Sequence, residues 1–336
     1  MPDGPLLMIE IRDVSAGEID QLAAFYSNQT GMTEESLRHR LLWLARNPAS
    51  RPEIPFGVAA SQAGRICGAM LFVPTRFASA AAIRICLLSI LFYVDASVRG
   101  VGVPLFLAYR KLAGKYPLYA ATANELSARL WSGFGARAIL GSEFEYVKVC
   151  RPLPFLSELI FRKFVRRQNH HPTDAAQSRP AHSTDQRLLP VTDPEAALQT
   201  IPPSPPSASG LLRDLQMVRW KIYERGQTLY AYRTNRSNVL CLFQRSRRGS
   251  RSQIAAVEIL EVWGTLDSQD SSNFLSCVKR LFSPDLISFR GGSTLSQQNA
   301  LVRHFRRRIF ACPAVWLMDP SNLLEGRFEY SSLAGE

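Results

Sequence analysis

Residues 95–104 of this chain read Asp-Ala-Ser-Val-Arg-Gly-Val-Gly-Val-Pro, and this stretch decides the fold. It follows an apolar run, Cys86–Val94, and precedes a segment with helix-like spacing, Leu105–Gly114. The order predicted is therefore strand, glycine turn and helix start. Glycine adopts backbone conformations closed to other residues and lets a ligand approach closely. Because free N–H groups at a helix start attract anions, the stretch predicts a place that holds a phosphate or pyrophosphate.

Length and composition indicate a globular protein with two domains. The chain has 336 residues, 46% hydrophobic and 20% charged, which is enough to bury sizeable cores. The formal net charge of +12 suits anionic partners, although an ordinary basic soluble protein is the simpler interpretation. The six cysteines form no Cys-x-x-Cys pair, so we expect buried thiols in a reducing compartment and no metal site.

The chain shows no targeting signal. The segment after Met1 lacks a basic region followed by an apolar one, so no secretory signal is predicted. The longest apolar stretch, near residues 85–94, is too short to cross a bilayer as a helix. We therefore expect a cytoplasmic protein.

Apolar periodicity predicts that residues 1–150 form one α/β domain with a mixed sheet. The longest predicted strand, 83–94, is apolar almost throughout, as a central strand would be. The other strands are expected at 8–14, 56–60, 66–74, 116–122 and 144–149, the last closing this sheet, and the helices at 17–28, 33–47, 105–114 and 124–131.

The remainder divides into a connecting region and a second domain. Residues 151–209 combine an amphipathic segment with a stretch rich in proline and serine, which predicts a flexible linker. Residues 210–336 again alternate strands and helices, with strands expected at 228–232, 239–244, 254–263, 286–289 and 314–318.

The first domain resembles the GNAT superfamily of acyl-CoA N-acyltransferases at two motifs. The family's glycine turn, Arg/Gln-x-x-Gly-x-Gly/Ala, is matched at Arg99 and Gly102, with Pro104 replacing the last small residue. A second family element is matched by Asn124 and by the residues Leu130, Gly133 and Phe134, with Trp131 where the family often has a tyrosine general acid. Proline removes one N–H donor, and an indole N–H is a poor proton donor to a thiolate.

The resemblance implies tandem GNAT-like domains, with the second degenerate, because 210–336 has a similar element order but no equivalent glycine turn. Its nearest stretch, Arg290–Thr294, lacks the spacing. The implied activity moves an acetyl or other acyl group from acyl-CoA to a small-molecule amine, and the basic composition favours an anionic acceptor. The implied cofactor-binding residues are Leu91, Phe92, Val94, Arg99, Gly100, Val101, Gly102, Val103, Asn124 and Trp131.

Acyl transfer to an amine also needs a base and a polarised carbonyl. The candidate catalytic residues are Glu143 near the last strand, with Ser89 and Tyr93 on the central strand. Glu145, Glu34 and Glu35 are further candidates for the base, although a surface carboxylate is more often simply solvated.

Two other functions are compatible with the sequence. Pro104, Trp131 and the lack of an evident base are compatible with a non-catalytic CoA-binding or scaffold module. Aminoacyl transfer from charged tRNA is a further alternative, since tandem GNAT-like folds also serve that chemistry. We expect neither a nucleic-acid nor a membrane partner, because no recognisable motif for either is present.

Overall fold

A computed structural model describes residues 9–78, 83–98, 100–157, 187–199, 209–211, 215–222, 228–234, 237–248, 254–291, 299–310, 312–320 and 328–329. These residues form two mixed β-sheets flanked by helices, so the α/β prediction with mixed sheets is confirmed. Within this part of the chain, no helix has the length and apolar character needed to cross a membrane.

The first sheet is built around the predicted central strand. In spatial order it contains β1 (Ile9–Val14), β2 (Gly57–Gln62), β3 (Arg65–Ala78), β4 (Ile83–Val94), β5 (Leu118–Ala120), β15 (Trp316–Met318) and β6 (Arg137–Ala138). β9 (Ser209–Leu211) pairs with the end of β3, and β16 (Phe328–Glu329) pairs with β9. The strands β1, β2, β3 and β4 pair with one another in antiparallel order. The pair formed by β4 and β5 is parallel, and β15 is antiparallel to both of its neighbours, β5 and β6.

The second sheet repeats this pattern of directions. In spatial order it contains β8 (Leu188–Pro190), β10 (Leu229–Arg233), β11 (Asn238–Arg248), β12 (Ile254–Trp263), β13 (Leu286–Arg290), β7 (Phe144–Val149) and β14 (Arg306–Ile309). Only β12 and β13 are parallel, as β4 and β5 are in the first sheet. The two halves therefore share one architecture.

The two sheets exchange strands. β7 comes from the first half of the chain but lies between β13 and β14 of the second sheet. β15 comes from the second half but lies between β5 and β6 of the first sheet. The expectation that Phe144–Val149 closes the first sheet is therefore wrong about its partners, although the strand itself has the predicted bounds. Its alternating pattern fits either sheet, because a local pattern does not specify the neighbour.

The linker prediction also needs correction. Leu188–Pro190 pairs with β10, and Leu188 is buried, so this part of the predicted linker belongs to the second sheet. A helix, α5 (Pro194–Gln199), follows it. The sequence around these short elements is rich in proline and serine, so their few apolar residues do not form a recognisable strand or helix pattern. The division into domains at residues 150 and 210 otherwise stays a prediction.

The first two helices have capping residues at their ends. α1 (Ile19–Thr30) ends at Gly31, whose φ of 71° is the left-handed conformation that glycine favours. α2 (Glu34–Ala45) is capped by Thr33, whose hydroxyl accepts the N–H of Ser36 at 3.3 Å. Both pack on one face of the first sheet.

The opposite face of the first sheet carries two further helices. α3 (Gly102–Arg110) continues into a 3₁₀ turn to Gly114, and α4 (Glu125–Gly133) follows β5. Phe106, Tyr109 and Trp131 pack together there in a buried aromatic cluster. The described helices of the second half are α5, α6 (Leu215–Ile222), α7 (Ser268–Phe282) and α8 (Asn299–Val302).

A reciprocal tryptophan contact joins the two halves. Trp43 of α2 and Trp220 of α6 stack with ring centroids 4.3 Å apart and an interplanar angle of 8°. Each indole N–H donates to the backbone carbonyl of the other residue, both at 2.9 Å. Both residues are buried. In both this contact and the strand exchange, each half contributes an equivalent element to the other, which makes the arrangement pseudo-symmetric.

Candidate functional site

The first sheet splits between β4 and β5. The two strands pair at only two positions, Leu87 with Leu118 and Leu88 with Tyr119. Beyond them β4 continues through Ser89–Val94, whose side chains are all half-buried, while β5 ends. No strand that the structure describes pairs with this part of β4 on the side of β5. Its peptide groups therefore form an exposed strand edge, which another extended molecule can pair with.

A bulge lies in the middle of this free edge. β3 and β4 shift register between the pairs Ala69–Tyr93 and Leu71–Ile90, so β4 carries an extra residue there. Leu91 has φ of 48°, which is strained for a residue with a branched side chain. Bulges re-aim backbone and side chains and are frequent beside functional sites.

The turn after β4 is held by its first residue. The Asp95 carboxylate accepts the N–H of Ser97 at 2.9 Å and its hydroxyl at 2.8 Å. These hydrogen bonds lower the pKa of Asp95. The N–H of Asp95 donates to Cys67 of β3 at 2.8 Å, which ties the turn to the sheet. Gly100 then adopts φ of 83°, a conformation that the predicted glycine turn requires.

The start of α3 presents free donors. Val101 stands at the N-cap position, and in the described part of the chain no side chain caps this helix. The N–H groups of Gly102 and Val103 therefore lack intrahelical acceptors, while Pro104 contributes none. A Cβ atom at Gly102 would lie 3.6 Å from Phe92 and 3.8 Å from Val94, so this glycine faces the end of β4. An anion bound here would approach the backbone closely.

One glycine that the sequence reasoning missed sets the position of α3. A Cβ atom at Gly68 of β3 would come within 2.9 Å of Leu105 and 3.2 Å of Val101. The absence of a side chain at Gly68 thus lets the first turn of α3 pack directly on β3. A glycine inside a strand pattern was the available signal, since it often marks close backbone approach. No comparable signal marks the bulge at Leu91.

The predicted cofactor contacts fall into two groups. Leu91, Phe92 and Val94 lie on the free edge of β4, next to the turn and helix start formed by Gly100–Val103. Arg99 lies outside the described residues. The other two predicted contacts lie on α4, and the structure gives each of them a structural role.

Asn124 and Trp131 are engaged within α4 and the core. The Asn124 side chain accepts the N–H of Ser127 at 2.9 Å and thereby caps the helix. Trp131 is 2% exposed, with its ring edge against Phe106 and Tyr109. Their contact with a cofactor stays a prediction.

The three predicted catalytic residues are not brought together on one surface. Ser89 and Tyr93 share β4 but lie on opposite faces of the sheet. Ser89 lies on the side of Tyr109, whereas the Tyr93 and Tyr26 rings pack edge-on with centroids 6.0 Å apart. Glu143 is half-buried in the turn before β7, where its carbonyl accepts the N–H of Phe310 at 2.8 Å. Their catalytic roles stay predictions.

The thiols are poor nucleophile candidates. All six cysteines are free, and four are buried. Burial raises the pKa of Cys86 and Cys241 well above the usual thiol value, which keeps both protonated. The prediction of buried thiols is confirmed at Cys67, Cys86, Cys241 and Cys277, whereas Cys150 and Cys312 are half-buried.

The equivalent place in the second sheet is occupied by charged side chains. β12 and β13 pair over three positions and β12 then carries a bulge, as β4 does. Glu258 of β12, at the last position that pairs with β13, lies 3.6 Å from Arg290 and 3.5 Å from Arg248. Arg248 also pairs with the buried Glu145 and donates to Ser288 at 3.1 Å. This network places protein charges at the position where β12 and β13 cease to pair.

The helix after β12 also differs from α3. α7 is capped by Asp267, whose carboxylate accepts the N–H of Asp270 at 2.7 Å. Asp270 adds a second acid in the first turn. Negative charge therefore stands where α3 leaves free donors, and it would repel a phosphate. β12 also continues beyond its last pair with β13, so among the described residues the two places differ chiefly at the helix start, which is uncapped in α3 and capped in α7.

Comparison with solved structures identifies the architecture. A GCN5-related N-acetyltransferase from Anabaena variabilis aligns with a TM-score of 0.55 and 13% identity, covering 92% of this chain and 72% of that one. The chain has the GNAT fold. A conserved protein of unknown function from Enterococcus faecalis V583 aligns with a TM-score of 0.56 and 10% identity, covering 93% and 73%. N-myristoyltransferase from Saccharomyces cerevisiae, solved with bound myristoyl-CoA, aligns with a TM-score of 0.52 and 8% identity, covering 95% and 81%.

These alignments extend over both halves, so the predicted tandem GNAT arrangement with a diverged second half is confirmed as a fold. No protein-family model and no curated protein matches the sequence. At these identities the likeness establishes the GNAT fold, and it leaves the reaction to be argued from the site.

Proposed function

We propose that this GNAT-fold chain is an N-acyltransferase that moves an acyl group from acyl-CoA to the amine of a small molecule. One observation carries the proposal: the free, bulged edge of β4 runs directly into the uncapped start of α3. An extended amide-bearing arm followed by a pyrophosphate matches that order of features. Coenzyme A has both parts.

The residues present fit such a ligand. Peptide groups of Ser89–Val94 would pair with the amides of the pantetheine arm as a neighbouring strand would. The N–H groups of Gly102 and Val103 would hold the pyrophosphate, helped by the helix dipole. Pro104 supplies one donor fewer than the family turn, which predicts a weaker hold on the phosphates than a full set would give.

The bulge supplies a means of activating the acyl group. When bound, acyl-CoA supplies a thioester whose carbonyl carbon is open to attack by an amine. A backbone N–H released from the ladder by the extra residue at Leu91 would donate to the thioester oxygen and stabilise the charge that develops there. Because the strand is fixed by the surrounding sheet, this donor needs no reorganisation during the reaction.

The proton balance requires two further groups. The attacking amine forms the new C–N bond and gives up a proton, while the C–S bond breaks and the departing sulfur receives a proton. We assign the base to Glu143 or Ser89 and the donor of the sulfur's proton to Tyr93; Ser89 and Tyr93 lie on the strand that carries the bulge. Acetyl-CoA is the proposed donor and an anionic amine the proposed acceptor, the latter because of the net charge of +12.

Calorimetry with acetyl-CoA and longer acyl-CoAs tests the proposal directly. We expect saturable binding, with a dissociation constant below about 100 μM. Absence of binding by every acyl-CoA at high micromolar concentration would remove the proposal.

A second candidate is a CoA-binding module without turnover. It is favoured by the separation of Ser89 and Tyr93 onto opposite faces of the sheet and by the burial of Trp131, which leaves no evident acid. Release of free CoA in the presence of a broad panel of amines distinguishes the two candidates. Turnover with any acceptor supports the transferase, whereas tight binding without turnover supports the binding module.

A further inference from the structure

A separate cleft lies at the far end of α3. It has a volume of about 820 Å³ and is enclosed by the C-terminal ends of α3 and α4 and by β6 and β15. The helix and its 3₁₀ extension span Gly102 to Gly114, which is roughly 20 Å at about 1.5 Å per residue. The lining begins at Leu107, about 8 Å along the helix from Gly102, and extends to Gly114, so it includes no residue of the turn proposed to hold the pyrophosphate. Its volume is that of a site for a small molecule.

Charge in this cleft is strongly one-sided. Arg110, Lys111 and Arg137 line it, and Asp319 is the only carboxylate among its lining residues that the structure describes. None of the three cations forms an ion pair with a described carboxylate. Arg110 and Lys111 also suit the C-terminal end of a helix dipole. Arg137 lies on β6 and has no such role, so the helix dipole does not explain the convergence.

The remaining lining is apolar or open. Leu107, which is 39% exposed, and the buried Met318 both line the cleft. The Arg110 guanidinium lies over the Phe134 ring, 5.5 Å from its centroid. A Cβ atom added at Gly114 would meet nothing within 4 Å, so the wall there is open space. The cleft thus offers an apolar surface beside three positive charges.

We propose that this cleft is a binding site for a small molecule that joins an apolar body to a doubly charged anionic group. Three cations against one carboxylate leave two positive charges, which a dianion such as a phosphate monoester would neutralise. Arginine forms bidentate hydrogen bonds with such a group. The site stands independently of the proposed acyl transfer, since none of its residues belongs to the free edge of β4 or to the glycine turn.

The probe for this site is 1-naphthyl phosphate, titrated into the full chain while its own fluorescence is followed. We expect saturable binding with a dissociation constant below about 1 mM, together with weaker binding of both 1-naphthol and inorganic phosphate, which each carry one half of the recognised chemistry. Failure of 1-naphthyl phosphate to bind would overturn the proposal.

Variants locate the binding. The double variant Arg110→Gln, Arg137→Gln should weaken binding at least tenfold, whereas Arg129→Gln, an exposed arginine of α4 outside the cleft, should leave it unchanged. Gly114→Gln should block the cleft, because a Cβ at Gly114 meets nothing within 4 Å and the longer side chain can extend into the opening. Equal effects of a cleft variant and its control would overturn the proposal.

Competition separates the cleft from the coenzyme turn. Excess CoA should leave bound 1-naphthyl phosphate in place. Displacement of the probe by CoA would assign it to the coenzyme site and would overturn the proposal of a separate site. A chain that binds the probe but no acyl-CoA would refute the proposed function alone.

Discussion

Replacement of Gly102 by alanine should separate ligand binding from folding. Gly102 is the first residue of α3, and a Cβ there would make ordinary contacts with Phe92 at 3.6 Å and Val94 at 3.8 Å. The folded chain can accept the methyl group without moving. A pyrophosphate on the same backbone N–H would meet it, because the ligand is proposed to approach along the side that glycine leaves open.

The two effects have opposite signs. Alanine in a helix is favoured over glycine by about 0.4–1 kcal/mol, so the free energy of unfolding should stay equal or rise. CoA affinity should fall at least tenfold, which is about 1.4 kcal/mol, and Gly102→Leu should reduce it further. Gly68→Ala behaves differently, because its Cβ would lie 2.9 Å from Leu105; overpacking of this kind costs about 1–3 kcal/mol of stability.

Calorimetric titration with CoA and urea unfolding of the same preparations measure both quantities. Gly133→Ala is the matched control, since it also places alanine in a helix with open space around it but lies away from the turn. If Gly102→Ala and Gly102→Leu both keep the CoA affinity of the parent chain while remaining folded, the turn is only a connection and the reasoning fails.

Three further predictions concern the frame that holds the site. Trp43→Phe and Trp220→Phe each remove one indole donor from a buried carbonyl, so urea unfolding should show a loss of about 1–2 kcal/mol for each; no loss would contradict the role given to the reciprocal bonds. Arg248→Met leaves the buried Glu145 and Glu258 with one described cation each, Arg308 at 3.7 Å and Arg290 at 3.6 Å, and should cost about 1–3 kcal/mol in the same assay, whereas no loss would show that Arg248 does not stabilise the network. Burial raises the pKa of Tyr232 to about 12, so the folded chain keeps a proton that the unfolded chain releases above about pH 10. Stability should therefore be unaffected by this group below pH 10 and fall between about pH 10 and 12, and Tyr232→Phe should reduce that fall in pH-dependent unfolding.

The elements around the turn were predictable because their signals are local. β4 has the predicted bounds, since a continuous apolar run marks a buried central strand. The turn follows from Gly100, whose positive φ only glycine adopts readily, and from the apolar spacing of α3. The first helices likewise follow from the Thr33 cap and from Gly31.

The partners of the strands were not predictable from such signals. Phe144–Val149 has the alternation of a strand with one polar face, and nothing in that alternation selects β13 over β5 as a neighbour. The bulge at Leu91 was likewise not predictable from the local sequence. Leucine has no preference for a positive φ, so the register of β3 against β4, set by packing on both faces, imposes it.

The strand exchange makes the site in the first half depend on the far end of the chain. β5 is only three residues long, and its outer side is paired with β15. Without β15, β5 would be a short edge strand that pairs with β4 at two positions, and such a strand is marginal. By holding β5 in place, β15 keeps the split open against the free part of β4.

The two similar halves differ at the helix that follows the split strand. The first sheet contains β15, β9 and β16 from the later part of the chain, and the second sheet contains β7 from the first half, so neither half completes its sheet alone. In the second half Glu258 pairs with Arg248 beside the split, and Asp267 caps α7. A carboxylate at the cap and a phosphate compete for the same N–H groups. We therefore expect an anion to bind at the uncapped start of α3 and not at the capped start of α7.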